Sequence, residues 1–171
     1  MPVPCRHVAA VCFLIPSIVI GGCGKKPPQV APPGPPRPVE AHLTMSAAAD
    51  LNPDAAGRPS PVVLRLYQLK GDAAFAGAEF FGLFDDEQKA LGAELISRTE
   101  LVLAPSEQRT VDLAVDGEAR FVGALAAFRD IRNAQWRVLL PTWREGARQM
   151  TVTVERARIV ATIADDDQQD Q

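Results

Sequence analysis

The feature that most restricts this chain is a period of two. Residues 39–45 (VEAHLTM) alternate apolar and polar side chains, and residues 108–115 (QRTVDLAV) do so through Val111, Leu113 and Val115 before stopping at Asp116-Gly117. An alternation of this kind buries one face of an extended strand and solvates the other. Further strand-like runs occupy 62–69 (VVLRLYQL), 100–103, 120–128, 135–140 and 149–160, separated by turn formers such as Ala104-Pro105-Ser106. Seven strands joined by turns, mostly with no helix between them, predict an all-β fold, a two-sheet antiparallel β-sandwich. A closed barrel is the competing architecture.

One insertion departs from that period. Between residues 75 and 96, Phe80, Phe81, Leu83, Phe84, Leu91 and Leu95 recur at roughly helical spacing. Two short helices are expected, the second ending near Gly92. Asp85, with Gln88 three positions on, suits a capping box. Three acids in a row, Asp85, Asp86 and Glu87, also suit a helix start, although a metal-ligand role is the alternative. Residues 121–128 (FVGALAAF) are apolar at both parities, so something must cover the outer side of that strand. The Phe-rich insertion is the expected cover, admitted by the small residues Gly123, Ala124 and Ala126.

Ahead of the strands the chemistry changes. Arg6 precedes an apolar run of 13 residues, 8–20, interrupted by Pro16, which is short for a membrane-spanning helix and right for the core of a signal peptide. A buried N-terminal element or an uncleaved anchor would be the alternatives. Ile20-Gly21-Gly22-Cys23 resembles the lipobox of bacterial lipoproteins. That resemblance implies a signal peptide over 1–22, cleavage before Cys23, and acyl chains on its sulfur and new amino group. Each buried methylene contributes about 0.8 kcal/mol, so several chains anchor a protein permanently. A free thiol in a glycine-rich turn is the bland alternative. The residue after it is Gly24 and not Asp, and in Gram-negative lipoproteins the resemblance then implies sorting to the outer membrane rather than retention at the inner one. With Cys5 and Cys12 in the signal, Cys23 would be the sole remaining cysteine and no internal disulfide could form. Residues 27–38 (PPQVAPPGPPRP) hold seven prolines in twelve positions. Lacking donors and fixed in φ, they can pair into no sheet, and at about 3.1 Å per residue they form a spacer. The organisation expected is therefore a signal peptide at 1–22, lipidated Cys23 and linker at 23–38, a sandwich at 39–163 and an acidic disordered tail at 164–171.

Composition excludes several classes. Eighteen Lys and Arg stand against 21 Asp and Glu, which is no nucleic-acid footprint. Beyond the signal the one histidine is His42, expected on the outward face of its strand. There is no GxSxG elbow, HExxH, phosphate-binding glycine loop or CxxC pair, so no enzyme, no metal and no cofactor other than the covalent lipid are expected. Trp136 shares the parity of Val138 and Leu140 and reads as core, whereas Trp143, past Pro141, reads as partly exposed. Arg129, Arg132, Arg137, Arg144 and Arg148, interspersed with Asp130 and Glu145, read as a solvated rim.

"LNPDAAGRPSPVVLRLYQLK" (51–70), "FFGLF", "LGAELISRTELVLAPSEQRTVDLAV" and "FVGALAAFRDIRNAQWRV" follow in an order that resembles the TssJ family of type VI secretion lipoproteins, over residues 51 to about 154. The resemblance implies a transthyretin-like sandwich with added helices and no catalysis. It also implies an outer-membrane, periplasm-facing location and binding to the periplasmic domain of the inner-membrane protein TssM. TssL would be an indirect partner, and oligomers would form only within the membrane complex.

The connection 47–60 is long for adjacent strands, and long loops often carry function. Asp50, Leu51, Asn52, Pro53 and Asp54 are the candidate partner-binding residues, with Leu51 as an apolar anchor; a plain Asn-Pro turn is the competing reading. Besides the assembly lipoprotein, a periplasmic small-ligand carrier would need an apolar pocket. An envelope hydrolase would need two buried carboxylates facing a cleft.

Overall fold

The computed structural model describes residues 38–142 and 149–164. The signal peptide, Cys23, nearly all of the linker, Trp143, Arg144, Glu145, Arg148 and the expected tail at 164–171 lie outside the described residues, except Ala164, which belongs to the last strand and not to the tail. Among the described residues there are eight strands: β1 (Val39–Ala47), β2 (Val62–Leu69), β3 (Leu95–Leu103), β4 (Gln108–Val115), β5 (Phe121–Ala126), β6 (Arg137–Pro141), β7 (Gln149–Val154) and β8 (Ile159–Ala164). They form two four-stranded sheets in the orders β4-β1-β7-β8 and β3-β2-β5-β6.

The two-sheet sandwich is as expected, with one exception inside it. β1 pairs antiparallel with β4 but parallel with β7, His42 standing opposite Gln149. The last run, read from sequence as one strand, is a hairpin. Residues 155–158 turn without Gly or Pro, held by the Glu155 N–H donating to the Arg158 carbonyl at 2.8 Å. The Arg158 guanidinium also grips the Glu155 carboxylate at 2.6–3.0 Å. A side-chain clasp here replaces the backbone signal on which turn reading depends.

Alternation explains the main core. Ala41, Leu43 and Met45 of β1, Val62, Leu64 and Leu66 of β2, Val122, Ala124 and Ala126 of β5 and Met150, Val152 and Val154 of β7 are all buried between the sheets. One polar side chain crosses this layer. Buried Gln68 donates to the Ala114 carbonyl at 2.8 Å and accepts from the Asp116 N–H at 2.7 Å, so both ends of its amide are satisfied.

A second core lies on the outer side of the β2 sheet. Tyr67, Leu69 and Leu125 pack there under Phe75, Phe80, Leu83 and Leu91 of the insertion. That insertion contains three helices, not two, α1 (Ala73–Gly77), α2 (Phe80–Asp85) and α3 (Glu87–Leu91), followed by one 3-10 turn (Gly92–Glu94). The cap of α3 is Asp86, whose carboxylate accepts from the Lys89 N–H at 3.2 Å. Asp85 does not cap, because it still belongs to α2, which closes through the Asp86 N–H to the Gly82 carbonyl.

The insertion covers β5 as expected, but through the opposite parity. Val122 and Ala124 face the sandwich interior, and Phe121 and Leu125 face the insertion. Of the small residues, Gly123 makes the contact: a Cβ there would lie 2.8 Å from Phe75 Cζ. Two arginines then fasten the helices. Arg137 donates to the carbonyls of Phe75 and Ala78 at 3.0 and 2.6 Å. Arg65 donates to the Phe84 carbonyl at 2.6 Å and to Glu100 at 2.7 Å, with its guanidinium 4.0 Å from the Phe84 ring centroid. Burial pushes the Tyr67 phenol up, and its hydroxyl donates to the Leu83 carbonyl at 3.1 Å.

Candidate functional site

The β1–β2 loop, the segment after β5 and the β7–β8 turn meet at one end of the sandwich. Together they line an open depression of about 550 Å³, through Asn52–Ala55, Phe128–Asp130 and Arg156–Ala157. The loop reaches this place because Leu51 is drawn into the core. It is fully buried, which removes it as an apolar anchor for a partner. Its role is to pin the loop.

Asn52, also buried, does the joining. Its N–H donates to the Arg156 carbonyl at 3.0 Å, its side-chain amide donates to the Pro61 carbonyl at 2.8 Å, and its side-chain oxygen accepts from the Arg129 N–H at 2.8 Å. Backbone and side chain of this one residue thus tie its own loop to both neighbours. Its φ of 44° lies in the left-handed region, which Asn tolerates better than most residues.

Asp54 holds the loop tip. Its carboxylate accepts from the N–H groups of Ala56 and Arg58 at 2.8 and 3.0 Å and from Arg58 Nε at 2.8 Å. The Arg58 backbone and guanidinium hold its carboxyl below the usual carboxylate range. Because the folded form favours the charged carboxylate, this contribution to loop order is complete above about pH 3.9 and is lost as pH falls through the lowered value.

Of the five predicted loop residues, Asp50, Pro53 and Asp54 retain solvent access. Asp50 lies 3.5 Å from Arg156. Phe128, Arg129, Asp130, Arg156 and Ala157 were not expected here; the Asn52 hydrogen bonds and the Asp50–Arg156 contact reveal the grouping. Opposite charges share the rim, with Asp54 and Asp130 beside Arg129 and Arg156.

Catalytic chemistry finds no footing among the described residues. No group of three or more His, Cys, Asp or Glu there could hold a metal ion. His42 is exposed on the β1 sheet, its Nδ1 2.7 Å from the Asp112 carboxylate. Trp136 is half-buried, edge-on to Phe80 at 5.4 Å and beneath the Arg137 guanidinium at 4.7 Å, so it buttresses the insertion. The depression is open and partly charged, unlike the enclosed apolar pocket a small-ligand carrier needs. No described helix is long and apolar enough to cross a membrane.

Comparison with known proteins agrees with this picture. The family described as "Type VI secretion lipoprotein, VasD, EvfM, TssJ" matches residues 39–157. No curated protein matches the sequence. Among solved structures, the T6SS lipoprotein TssJ1 from Pseudomonas aeruginosa is 35% identical with a TM-score of 0.70, covering 74% of this chain and 97% of that one. A chain of a type VI membrane complex is 30% identical with a TM-score of 0.65, over 72% and 97%. A chain in the structure described as the T6SS protein TssM C-terminal domain from EAEC is 28% identical with a TM-score of 0.61, over 72% and 97%. The chain belongs to the type VI secretion lipoprotein (TssJ) family, as a β-sandwich lipoprotein that serves the secretion apparatus structurally and not as an enzyme.

Proposed function

We propose that this lipoprotein is anchored in the outer membrane by acyl chains on Cys23. Cleavage after residue 22 exposes that cysteine, and the linker at 23–38 holds the sandwich clear of the bilayer on the periplasmic side. Its partner is the periplasmic domain of TssM, through which TssL is joined indirectly. The observation that carries the partner is the likeness, over nearly the whole of the matched chain, to a structure described by the TssM C-terminal domain.

The depression at the loop end is the proposed contact. It combines the solvent-accessible Asp50, Pro53 and Asp54 with charges of both signs on a scaffold preorganised by Asn52. A preformed surface spends little ordering entropy on association. The test is binding of the detergent-solubilised full chain to the TssM periplasmic domain. Binding is expected for the unsubstituted chain, with a loss of about tenfold for an Asp50→Lys, Asp54→Lys pair if these charges lie at the contact. No binding by the unsubstituted chain overturns the partner; unchanged affinity of the double variant overturns the loop alone.

A further inference from the structure

The four edges of the two sheets are not equivalent. At one side the residues leading into β6 and β8 are bridged: the Gln135 N–H donates to the Ala157 carbonyl and the Ile159 N–H to the Gln135 carbonyl, both at 2.9 Å. At the other side, β3 and β4 each have a hydrogen-bonded neighbour on one flank only among the described residues. β3 is nine residues long and carries neither Lys nor Pro, the residues that usually blunt such an edge. Its only irregularity is the register shift beside Leu95, which leaves 97–103 regular.

We propose that β3 pairs with β3 of a second copy of this chain, antiparallel and centred on Thr99, joining two four-stranded sheets into one of eight strands. The charges select both the occupant and the register. Opposed residues in an antiparallel pair must share a face, so a two-fold centre falls on a residue. Arg98, Glu100 and Val102 point to the outer face; the two charged side chains are 35% and 44% exposed, and Val102 is 54% exposed. Centring on Arg98 or on Glu100 sets like charges opposite each other. Centring on Ser97 or Leu101 gives neither charge an opposite partner. Centring on Thr99 places Arg98 opposite Glu100 of the second copy, twice by symmetry, and Thr99 opposite Thr99, both favourable cross-strand pairs. β4, whose outward residues include Thr110 and Asp112, offers no such self-complementary centre.

The arrangement depends on the two ion pairs, so charge reversal tests it. Self-association of the detergent-solubilised full chain is measured by sedimentation. Arg98→Glu and Glu100→Arg each turn both pairs repulsive and are expected to weaken association by about tenfold, while the double variant restores it. Because Arg98 also meets Glu87 at 3.2 Å and Glu100 also holds Arg65 at 2.7 Å, Val102→Glu serves as a second disrupting variant, at an exposed position with neither contact. Register is read by a short thiol-reactive cross-linker: Thr99→Cys links to itself, and Ser97→Cys links to Leu101→Cys in a mixture better than either does alone. A chain that stays monomeric at every concentration overturns the proposal. So does association indifferent to the reversals and to Val102→Glu, a double variant that fails to recover, or linking in another register.

Discussion

The two outer faces of the sandwich are built from the same strand geometry and have opposite fates. On the β1 sheet, the outward residues include His42, Thr44, Ser46, Thr110, Asp112 and Thr153. They meet one another through short polar contacts, His42 to Asp112 at 2.7 Å, Thr44 to Thr110 at 3.3 Å and Ser46 to Thr153 at 3.2 Å, and otherwise face water. On the β2 sheet, the outward Tyr67, Leu69 and Leu125 are as dry as the central core because a Phe-rich insertion lies over them. A sheet face is therefore solvated or covered according to its own side chains, and the cover must bring partners for its backbone as well as apolar area.

Removing the centre of the cover should have the largest effect. Phe75→Ala deletes a fully buried ring seated on Gly123, with an expected loss of about 3–5 kcal/mol in urea unfolding. A small loss would mean that the insertion is dispensable to the sheet. Next comes Arg137→Ala, which leaves the carbonyls of Phe75 and Ala78 at the C-terminal end of α1 without their donor and should lose about 2 kcal/mol; Arg137→Lys should recover only part. Full recovery by Lys would show that charge, not the planar fork, does the fastening. Asp86→Ala should lose about 1 kcal/mol and Asp85→Ala under about 0.5 kcal/mol, since only Asp86 caps α3. The reverse order would return the cap to Asp85. On the bare face, Thr44→Ala should change stability by under about 0.5 kcal/mol. A larger loss would erase the distinction between the two faces.

The sandwich was legible because β1 and β4 alternate cleanly, and the need for a cover was legible because β5 does not. Parity around Gly123 was harder to read. When Val122, Ala124 and Leu125 are all apolar, periodicity cannot say which of them looks inward. The β7–β8 turn escaped notice because Glu155 and Arg158 stabilise it by a contact that composition does not advertise. The end depression was half legible: length and Asn-Pro marked the loop. The burial of Leu51 and the Asn52 bonds to Arg129 and Arg156 are long-range events with no local signature.

β1 also has a mechanical consequence. It is the first strand after the proline-rich stretch, it runs from Val39 toward the end that holds the depression, and it is paired on both flanks, with β4 and with β7. Tension applied between Val39 and that depression pulls along the strand axis, at right angles to the β1–β4 hydrogen bonds. The ladder must then shear as a whole instead of unzipping one rung at a time.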